Sequence, residues 1–272
     1  MEEYKLYDNT VTLKFDREKH VFHDEHGWIP SVTGITGIVD KSRPLMYWAT
    51  REAGSYMLEK YKIVKKGYFD IPDKQEKSRR WKEVMADVKD EKIETSVLEL
   101  ANIIVTGITQ YQQTCNKAAD IGTSIHEWIS DWILKKNPAR PKNKKVINGI
   151  EAFLKFEKER KFEWVDSERL IYSKEHRYAG WLDATAMADG AFSLVDFKSS
   201  SGIFSEMFLQ VGGYAIAYEE EHQREFEKMM IIQFGKETGE FQVKQSSDTA
   251  KDKEAFLSAL SLKRRILELD YQ

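Results

Sequence analysis

The sequence predicts a mixed α/β fold in which helices flank a central mixed sheet. Apolar residues recur with helical spacing in several segments, and between them, over residues 163–198, they recur with the shorter spacing of strands. The chain has 272 residues, 41% of them hydrophobic, which is enough to bury a substantial core. We expect one domain: an elaboration over 1–115, a core over 116–245 and a C-terminal helix over 246–272.

The first third of the chain predicts strands followed by helices. Residues 11–38 alternate apolar and polar side chains between glycines, which is typical of short strands and turns. From Pro44 to Met57, apolar residues three and four positions apart predict an amphipathic helix. Residues 73–92 carry many charges of both signs and predict a solvated helix, whose first half contains a basic cluster: Lys74, Lys77, Arg79, Arg80 and Lys82.

The remainder predicts a helical part followed by a strand-rich part. Its expected helices cover residues 95–112, 117–135, 144–160, 204–221 and 251–268. Its expected strands cover residues 163–173, 177–187, 191–198 and 241–243, and residues 229–234 form an apolar run before the last of them. Such an order is typical of helices packed on an antiparallel or mixed sheet.

Amino-acid composition says more about the cellular compartment of this protein than about its function. The chain has 42 Lys+Arg and 45 Asp+Glu, a net charge of −3, so a nucleic-acid binder would have to gather its cations locally. Cys115 is alone and can form neither an internal disulfide nor an iron–sulfur site, which favours a reducing compartment. The sequence shows neither a signal-like start nor a run of 18 apolar residues. We expect a cytoplasmic protein without a membrane partner.

The most informative residues are Asp183, Asp196 and Lys198. Asp196 and Lys198 are two positions apart, so on a strand their side chains leave the same face while Phe197 points to the other. A hairpin could bring Asp183 beside them. Two close carboxylates form a hard-oxygen site suited to Mg²⁺ or Mn²⁺, and the ammonium could orient a water or stabilise charge on phosphorus. Taken alone, such a pair is more often a surface ion pair.

Four motifs with polar side chains follow one another between residues 122 and 214. They are Gly122-Thr-Ser-Ile-His126-Glu127, Gly180-Trp-Leu-Asp183, Asp196-Phe-Lys198-Ser-Ser and Gln210-Val-Gly-Gly-Tyr214. Together they resemble the PD-(D/E)xK nuclease superfamily, in particular its RecB-like branch, which includes phage and mitochondrial genome maintenance exonucleases. The segment Ser31-Val-Thr-Gly-Ile-Thr, followed by Leu45 and Trp48, also resembles phage members.

The resemblance implies a restriction-endonuclease-like core and a metal centre. Asp183 and Asp196 would bind the metal, His126 would add a nitrogen ligand, the carbonyl of Phe197 would complete the shell, and Lys198 would act on the water or the phosphate. Leu182 stands where the superfamily's name has Pro, and the acidic residue before Lys198 is Asp. Both departures are common in the branch. The cysteine cluster of some members is missing, so no iron–sulfur cluster is expected.

Several of these residues have a second interpretation. On its own, His126 lies in line with apolar residues of its helix and is more often a core histidine than a ligand. Gln210 and Tyr214, one helical turn apart, could hold a scissile phosphate or could simply pack the helix on the sheet. Glu168 resembles an acidic residue near the site of some members, and Arg177 could touch backbone phosphates. For both of these, a structural role remains open.

The expected function is a metal-dependent DNA nuclease, with exonuclease activity favoured, in replication, recombination or repair and with phage origin as one setting. The alternatives are an endonuclease of the same superfamily and a DNA-binding or assembly protein that keeps the fold without hydrolysis. The sequence contains no Gly-x-x-x-x-Gly-Lys-Ser/Thr loop, so ATP-driven unwinding would come from a helicase partner. The expected partners are DNA with free ends, a helicase and a single-strand-binding protein, and the expected location is the cytoplasm, that of the host if the gene is a phage gene.

Overall fold

A computed structural model describes residues 1–39, 42–60, 76, 79–80, 82–83 and 97–270. These residues form two compact units. The first combines Met1–Val39 with Ile121–Gln272, and the second is Asp40–Asp120. The expected single domain stays a prediction. All the candidate site residues belong to the first unit.

The described strands form two sheets, both in the first unit. The first sheet is a four-stranded antiparallel meander in the order β1-β2-β3-β4. Its strands are β1 (Glu2–Leu6), β2 (Val11–Asp16), β3 (Val21–Asp24) and β4 (Gly27–Ile29). Leu13, Phe15 and Phe22 point to a shared core under this sheet.

The second sheet has five strands in the order β5-β6-β7-β8-β9. They are β5 (Phe162–Ser173), β6 (Tyr178–Ala188), β7 (Ala191–Lys198), β8 (Lys228–Phe234) and β9 (Phe241–Gln245). Strands β7 and β8 run parallel and every other neighbouring pair is antiparallel. The predicted α/β class with a mixed sheet flanked by helices is therefore confirmed.

The described helices are α1 (Val32–Thr36), α2 (Ser42–Lys60), α3 (Val97–Ile133), α4 (Lys144–Glu159), α5 (Glu206–His222) and α6 (Thr249–Asp270). Side chains of β7 alternate between two apolar cores in the first unit. Phe197 packs with Phe153 of α4, their ring centroids 6.3 Å apart. Leu194 belongs instead to a core that contains Phe256 of α6 and Val211 of α5. The sheet therefore lies between two helical layers.

Three elements differ from the sequence-based prediction. Strand β1 was not expected, because its polar residues hide the strand pattern until it pairs with β2. Residues 32–36 are helical rather than extended, because the Ser31 side chain accepts a hydrogen bond from the Gly34 N–H and caps the helix. The two helices predicted over 95–112 and 117–135 are one helix, α3, whose 37 residues contain no proline to end it.

Most of the charged helix predicted over residues 73–92, with Lys74 and Lys77 of its basic cluster, lies outside the described residues. Arg80 is described, and it forms an ion pair with Glu76 at 2.6 Å. Among the helices of the described ranges, none has the length and apolar character that crossing a bilayer requires.

The packing behind β7 generates a stability prediction. Phe153 is fully buried and contacts Phe197, Phe234 and Trp164 edge to face or tilted. Phe153→Ala should lower the free energy of unfolding by about 3–5 kcal/mol, because it leaves a cavity behind β7. Phe204, which is 46% exposed, is the matched control, and Phe204→Ala should change it by less than about 0.5 kcal/mol. Urea unfolding measures both, and equal effects would contradict this account of the core.

Candidate metal centre

Three acidic residues lie in line across three neighbouring strands. The register of β5 with β6 places Glu168 opposite Asp183. The register of β6 with β7, continued by one residue beyond the pair of Ala184 and Val195, places Asp183 opposite Asp196. Residues directly opposite in an antiparallel pair point to the same face. The sheet therefore gathers carboxylates that are far apart in the sequence.

Asp183 is held from two directions. One oxygen, Oδ2, accepts a hydrogen bond from the backbone N–H of Phe197 at 2.6 Å. The other, Oδ1, lies 3.5 Å from Nδ1 of His126, which α3 supplies. The sequence-predicted residues His126, Asp183 and Phe197 are thus brought together. For Phe197, the observed contact is through its N–H, and the ligand role of its carbonyl stays a prediction.

Asp196 and Lys198 form a buried ion pair on the middle strand of the sheet. Lys198 Nζ lies 2.6 Å from Asp196 Oδ2, and the two side chains are 19% and 2% exposed. Nevertheless, neither carboxylate oxygen of Asp196 accepts a hydrogen bond of ordinary geometry from the described residues. A buried carboxylate in this condition is unfavourable unless a cation compensates it. Lys198 supplies one such cation, and the Asp196 oxygens keep the capacity to accept further contacts.

The charges of the centre are mutually dependent. Burial raises the pKa of Asp196 to about 6, against the attraction of Lys198. Burial would also raise the pKa of Asp183, but His126 and Lys198 outweigh it and the pKa lies below its ordinary value. For Lys198, burial opposes the charged form, yet the negative charges of Asp196 and Asp183 raise its pKa. At neutral pH, Lys198 is therefore a cation.

Glu168 belongs to the same centre. Ligand atoms of His126, Glu168 and Asp183 all lie within 4.8 Å of one another, as a metal site requires. Glu168 also has a left-handed backbone, with φ of 54°, which is uncommon for a residue other than glycine. Desolvation and the negative charge of Asp183 raise its pKa to about 7, although the residue is exposed at the rim.

This grouping refines the sequence-based assignment, which placed Glu168 with the substrate contacts and Asp196 with the metal ligands. The converging set consists of His126, Glu168 and Asp183, while the carboxylate of Asp196 contacts Lys198. The role of Asp196 as a metal ligand stays a prediction. The signal that could have placed Glu168 was the register of β5 with β6, which a single strand does not reveal.

Two glycines of the sequence motifs allow close approaches around the centre. A Cβ atom at Gly180 would lie 2.8 Å from the ring of Tyr214 and 3.1 Å from Val32 of α1. A Cβ atom at Gly122 would lie 2.9 Å from the hydroxyl oxygen of Ser199, the residue after Lys198. Larger side chains would push these neighbours away. The glycines thus let α5, α1 and α3 lie against the strand ends that carry the site.

Gln210 and Tyr214 of α5 form a pair, as their spacing predicted. Gln210 Nε2 donates to the Tyr214 hydroxyl oxygen at 2.7 Å. Burial, and then the charges of Asp196 and Asp183, raise the pKa of Tyr214 well above its ordinary value, so the phenol stays neutral. The pair lies close enough to feel the carboxylates, and its contact with a substrate stays a prediction.

Arg177 is the sequence-predicted residue that the structure does not bring to the centre. Its guanidinium makes a two-pronged ion pair with Asp24 of β3, at 2.8 and 3.0 Å. Asp24 also accepts a hydrogen bond from the Tyr172 hydroxyl at 3.1 Å. Arg177 precedes Asp183 by six residues, roughly 20 Å along a strand. It therefore links the two sheets.

Comparison with known proteins adds little to this geometry. No protein-family model matches the chain, and no curated protein is significantly similar to it. Among solved structures, the crystal structure of SSO0001 is similar to part of it, with 16% identity and a TM-score of 0.24. The match covers 42% of this chain and spans 56% of the other, and a likeness this low carries no argument.

The converging ligand atoms generate a metal-binding prediction. In calorimetric titration with Mn²⁺, Asp183→Asn and Glu168→Gln should each weaken binding tenfold or more, because each removes an anionic oxygen ligand. The matched control is Glu163→Gln, on β5 but outside the converging set, and it should bind Mn²⁺ like the unchanged protein. Equal Mn²⁺ affinity in all three variants would show that Asp183 and Glu168 do not form a metal site.

The same titration should depend on pH. The pKa values of Asp196 and Glu168 are raised to about 6 and about 7, and that of His126 is raised because Asp183 outweighs the effect of burial. These groups hold protons at mildly acidic pH, and a metal ligand must be deprotonated. Affinity for Mn²⁺ should therefore rise with pH through this range, with release of protons to the buffer. A pH-independent affinity would contradict it.

Proposed function

We propose that this protein is a metal-dependent deoxyribonuclease. The observation that carries the proposal is the convergence of ligand atoms of His126, Glu168 and Asp183, with the buried ion pair of Asp196 and Lys198 on the neighbouring strand. The buried, hydrogen-bond-deficient carboxylate of Asp196 supports a cation at this place. The order of the four sequence motifs supports phosphodiester hydrolysis as the chemistry.

The residues present suit Mg²⁺ or Mn²⁺. Asp183 and Glu168 would supply hard oxygen ligands and His126 a nitrogen, which favours Mn²⁺ over Mg²⁺. When bound, the metal supplies Lewis acidity for the phosphate and lowers the pKa of a water. Neither carboxylate oxygen of Asp196 has a hydrogen-bond partner within the described residues. Asp196 could therefore add a third carboxylate around the metal once its ion pair with Lys198 loosens.

The remaining residues have roles that follow from their charge. Lys198 is protonated at neutral pH, so it cannot accept a proton from an attacking water. It would instead stabilise the negative charge that develops on the phosphate. The neutral Tyr214 hydroxyl, fixed by Gln210, would donate a hydrogen bond to a phosphate oxygen or to a carboxylate of the centre.

The wider setting follows from the resemblance. Exonuclease activity on DNA ends, in replication, recombination or repair, matches the kind of proteins whose motifs the chain shares. The partners would be DNA with free ends, a separate helicase and a single-strand-binding protein, and the location would be the cytoplasm. The alternatives, an endonuclease and a DNA-binding protein without hydrolysis, become outcomes of the assay below.

Cleavage should depend on Asp196 and Lys198. Asp196→Asn and Lys198→Met should lower the cleavage rate by roughly 10²-fold or more, because the first removes an anion that would help to hold the metal and the second removes the cation that would stabilise charge on the phosphate. The matched control is Asp189→Asn, at the exposed turn between β6 and β7. This variant should cleave at the unchanged rate. Thermal melting checks that all variants are folded.

The substrates for this assay are end-labelled linear DNA and covalently closed circles, single-stranded and duplex, with Mg²⁺, Mn²⁺ or chelator. Digestion of linear DNA alone would support an exonuclease, and rapid cutting of circles would establish an endonuclease. Metal-independent cleavage, or unchanged rates in both site variants, would overturn the proposal. Binding without cleavage under every condition would favour the DNA-binding alternative.

A further inference from the structure

The linker between α3 and α4, together with the helix ends on either side of it, concentrates positive charge. Residues 132–150 contain six basic residues and no acidic residue, although the whole chain carries a net charge of −3. The basic residues are Lys135, Lys136, Arg140, Lys142, Lys144 and Lys145. This linker is separate from the candidate metal centre, and it begins roughly 10 Å along α3 from His126.

The linker is held in place by specific contacts. Lys135 and Asn137 have left-handed backbones, with φ of 58° and 49°, which turn the chain sharply after α3. Trp128 donates its indole N–H to the carbonyl of Ala139 at 3.1 Å. At the far end, the Asn143 side chain caps α4. The cationic side chains therefore project from an ordered backbone.

Only half of this charge is compensated. Lys136 pairs with Asp131 at 2.9 Å, Arg140 with Glu151 at 3.0 Å and Lys145 with Glu237 at 2.5 Å. Within the described ranges no acidic group lies at ion-pair distance from the other three, which are Lys135, Lys142 and Lys144. An exposed cluster of unpaired lysines attracts a polyanion.

A neighbouring cation adds to this surface. Lys236, in the turn between β8 and β9, lies near Lys145, and burial together with that positive charge lowers the pKa of Lys236. The side-chain amide of Asn148 donates to the carbonyl of Lys236 at 3.0 Å and so fixes the turn beside α4. Glu237, the ion-pair partner of Lys145, partly offsets this effect on Lys236.

Aromatic rings adjoin the lysines. Trp128 and Trp132 stack, with ring centroids 5.3 Å apart and planes inclined by 16°, and Trp132 is 38% exposed. Trp132 and Trp164 line a surface cavity of about 460 Å³ together with Lys135. Two carboxylates, Glu157 and Glu163, line it as well. Glu157 accepts the indole N–H of Trp132 at 2.9 Å and that of Trp164 at 3.0 Å, which holds the rings in place. An exposed indole offers a stacking surface for a base.

We propose that the face running from Trp132 and Lys135 at the end of α3 to Lys142 and Lys144 at the start of α4, roughly 20 Å along α4, binds the backbone and an unpaired base of single-stranded nucleic acid. The unpaired lysines suit phosphates, and stacking on Trp132 requires a base outside a duplex. An anionic bilayer fits less well, because Trp132 is stacked on Trp128 and hydrogen-bonded to Glu157 and so is held against the protein rather than free to insert among lipid chains. The inference deepens the proposed function, on which it rests, by assigning a second contact for the substrate strand beyond the metal centre.

The test is fluorescence anisotropy of a labelled single-stranded oligonucleotide of mixed sequence with the full chain, in chelator, over a series of salt concentrations. The triple variant Lys135→Gln, Lys142→Gln, Lys144→Gln should bind at least tenfold more weakly. Its slope of log affinity against log salt should be shallower by roughly 2 units, since each single-strand phosphate contact contributes about 0.7. Trp132→Leu should weaken binding without changing that slope.

The matched control is Lys5→Gln, Lys19→Gln, Lys174→Gln, three exposed lysines that likewise have no ion pair in the described part of the chain and lie on or beside the four-stranded sheet. This control should bind with the original slope. Equal losses in the two triple variants would show a general charge effect and overturn the site. Unchanged oligonucleotide binding with lost binding to phosphatidylserine vesicles would assign the face to a membrane instead.

The outcome separates this inference from the proposed function. Chelator prevents metal-dependent cleavage, so the difference in anisotropy between the triple variant and its control reports the face, and the cleavage assay reports the metal centre. If the triple variant loses binding and the unchanged protein never cleaves DNA, the nucleic-acid-binding face is supported and the nuclease function is contradicted. If the protein cleaves DNA and the triple variant binds as before, the nuclease function is supported and the nucleic-acid-binding face is contradicted.

Discussion

The carboxylate of Asp196 lies on the middle strand of the five-stranded sheet, where burial has removed water and Lys198 is its close ionic contact. Burial of an anion is unfavourable, and the neighbouring groups can be understood as its compensation. Asp183 faces it across the register of β6 and β7, and His126 in turn approaches Asp183. A divalent cation would relieve the repulsion between the carboxylates. The stability of the metal-free site and its affinity for metal are therefore linked.

Rigid packing keeps these groups in place. Phe197, between Asp196 and Lys198, points to the opposite core and packs with Phe153 and Phe234, at centroid distances of 6.3 and 5.6 Å. Its backbone N–H meanwhile binds Asp183. One residue thus connects a hydrophobic core to a charged centre through two different groups. Sites supported in this way hold their geometry before a ligand arrives.

Local sequence signals were sufficient for most of the fold. The apolar spacing over residues 144–160 and the alternation over 191–198 are strong, and the corresponding helix and strand are present within a residue or two. Weak or ambiguous signals failed. The polar strand β1 becomes a strand by pairing with β2, and the turn-like glycines after Ser31 fit a helix once Ser31 caps it. Pairing and capping depend on groups that an alternation pattern does not include.

For the candidate site, the sequence alone determined which groups share a face, because the two-residue period of a strand places Asp196 beside Lys198 whatever surrounds them. The tertiary structure decided which groups meet. Glu168 joins the centre through the pairing of β5 with β6, and Arg177 leaves it for Asp24, 153 residues earlier in the chain. Strand register and long-range ion pairs are set by the packing of the whole molecule, since side-chain periodicity within one strand carries no information about its neighbour.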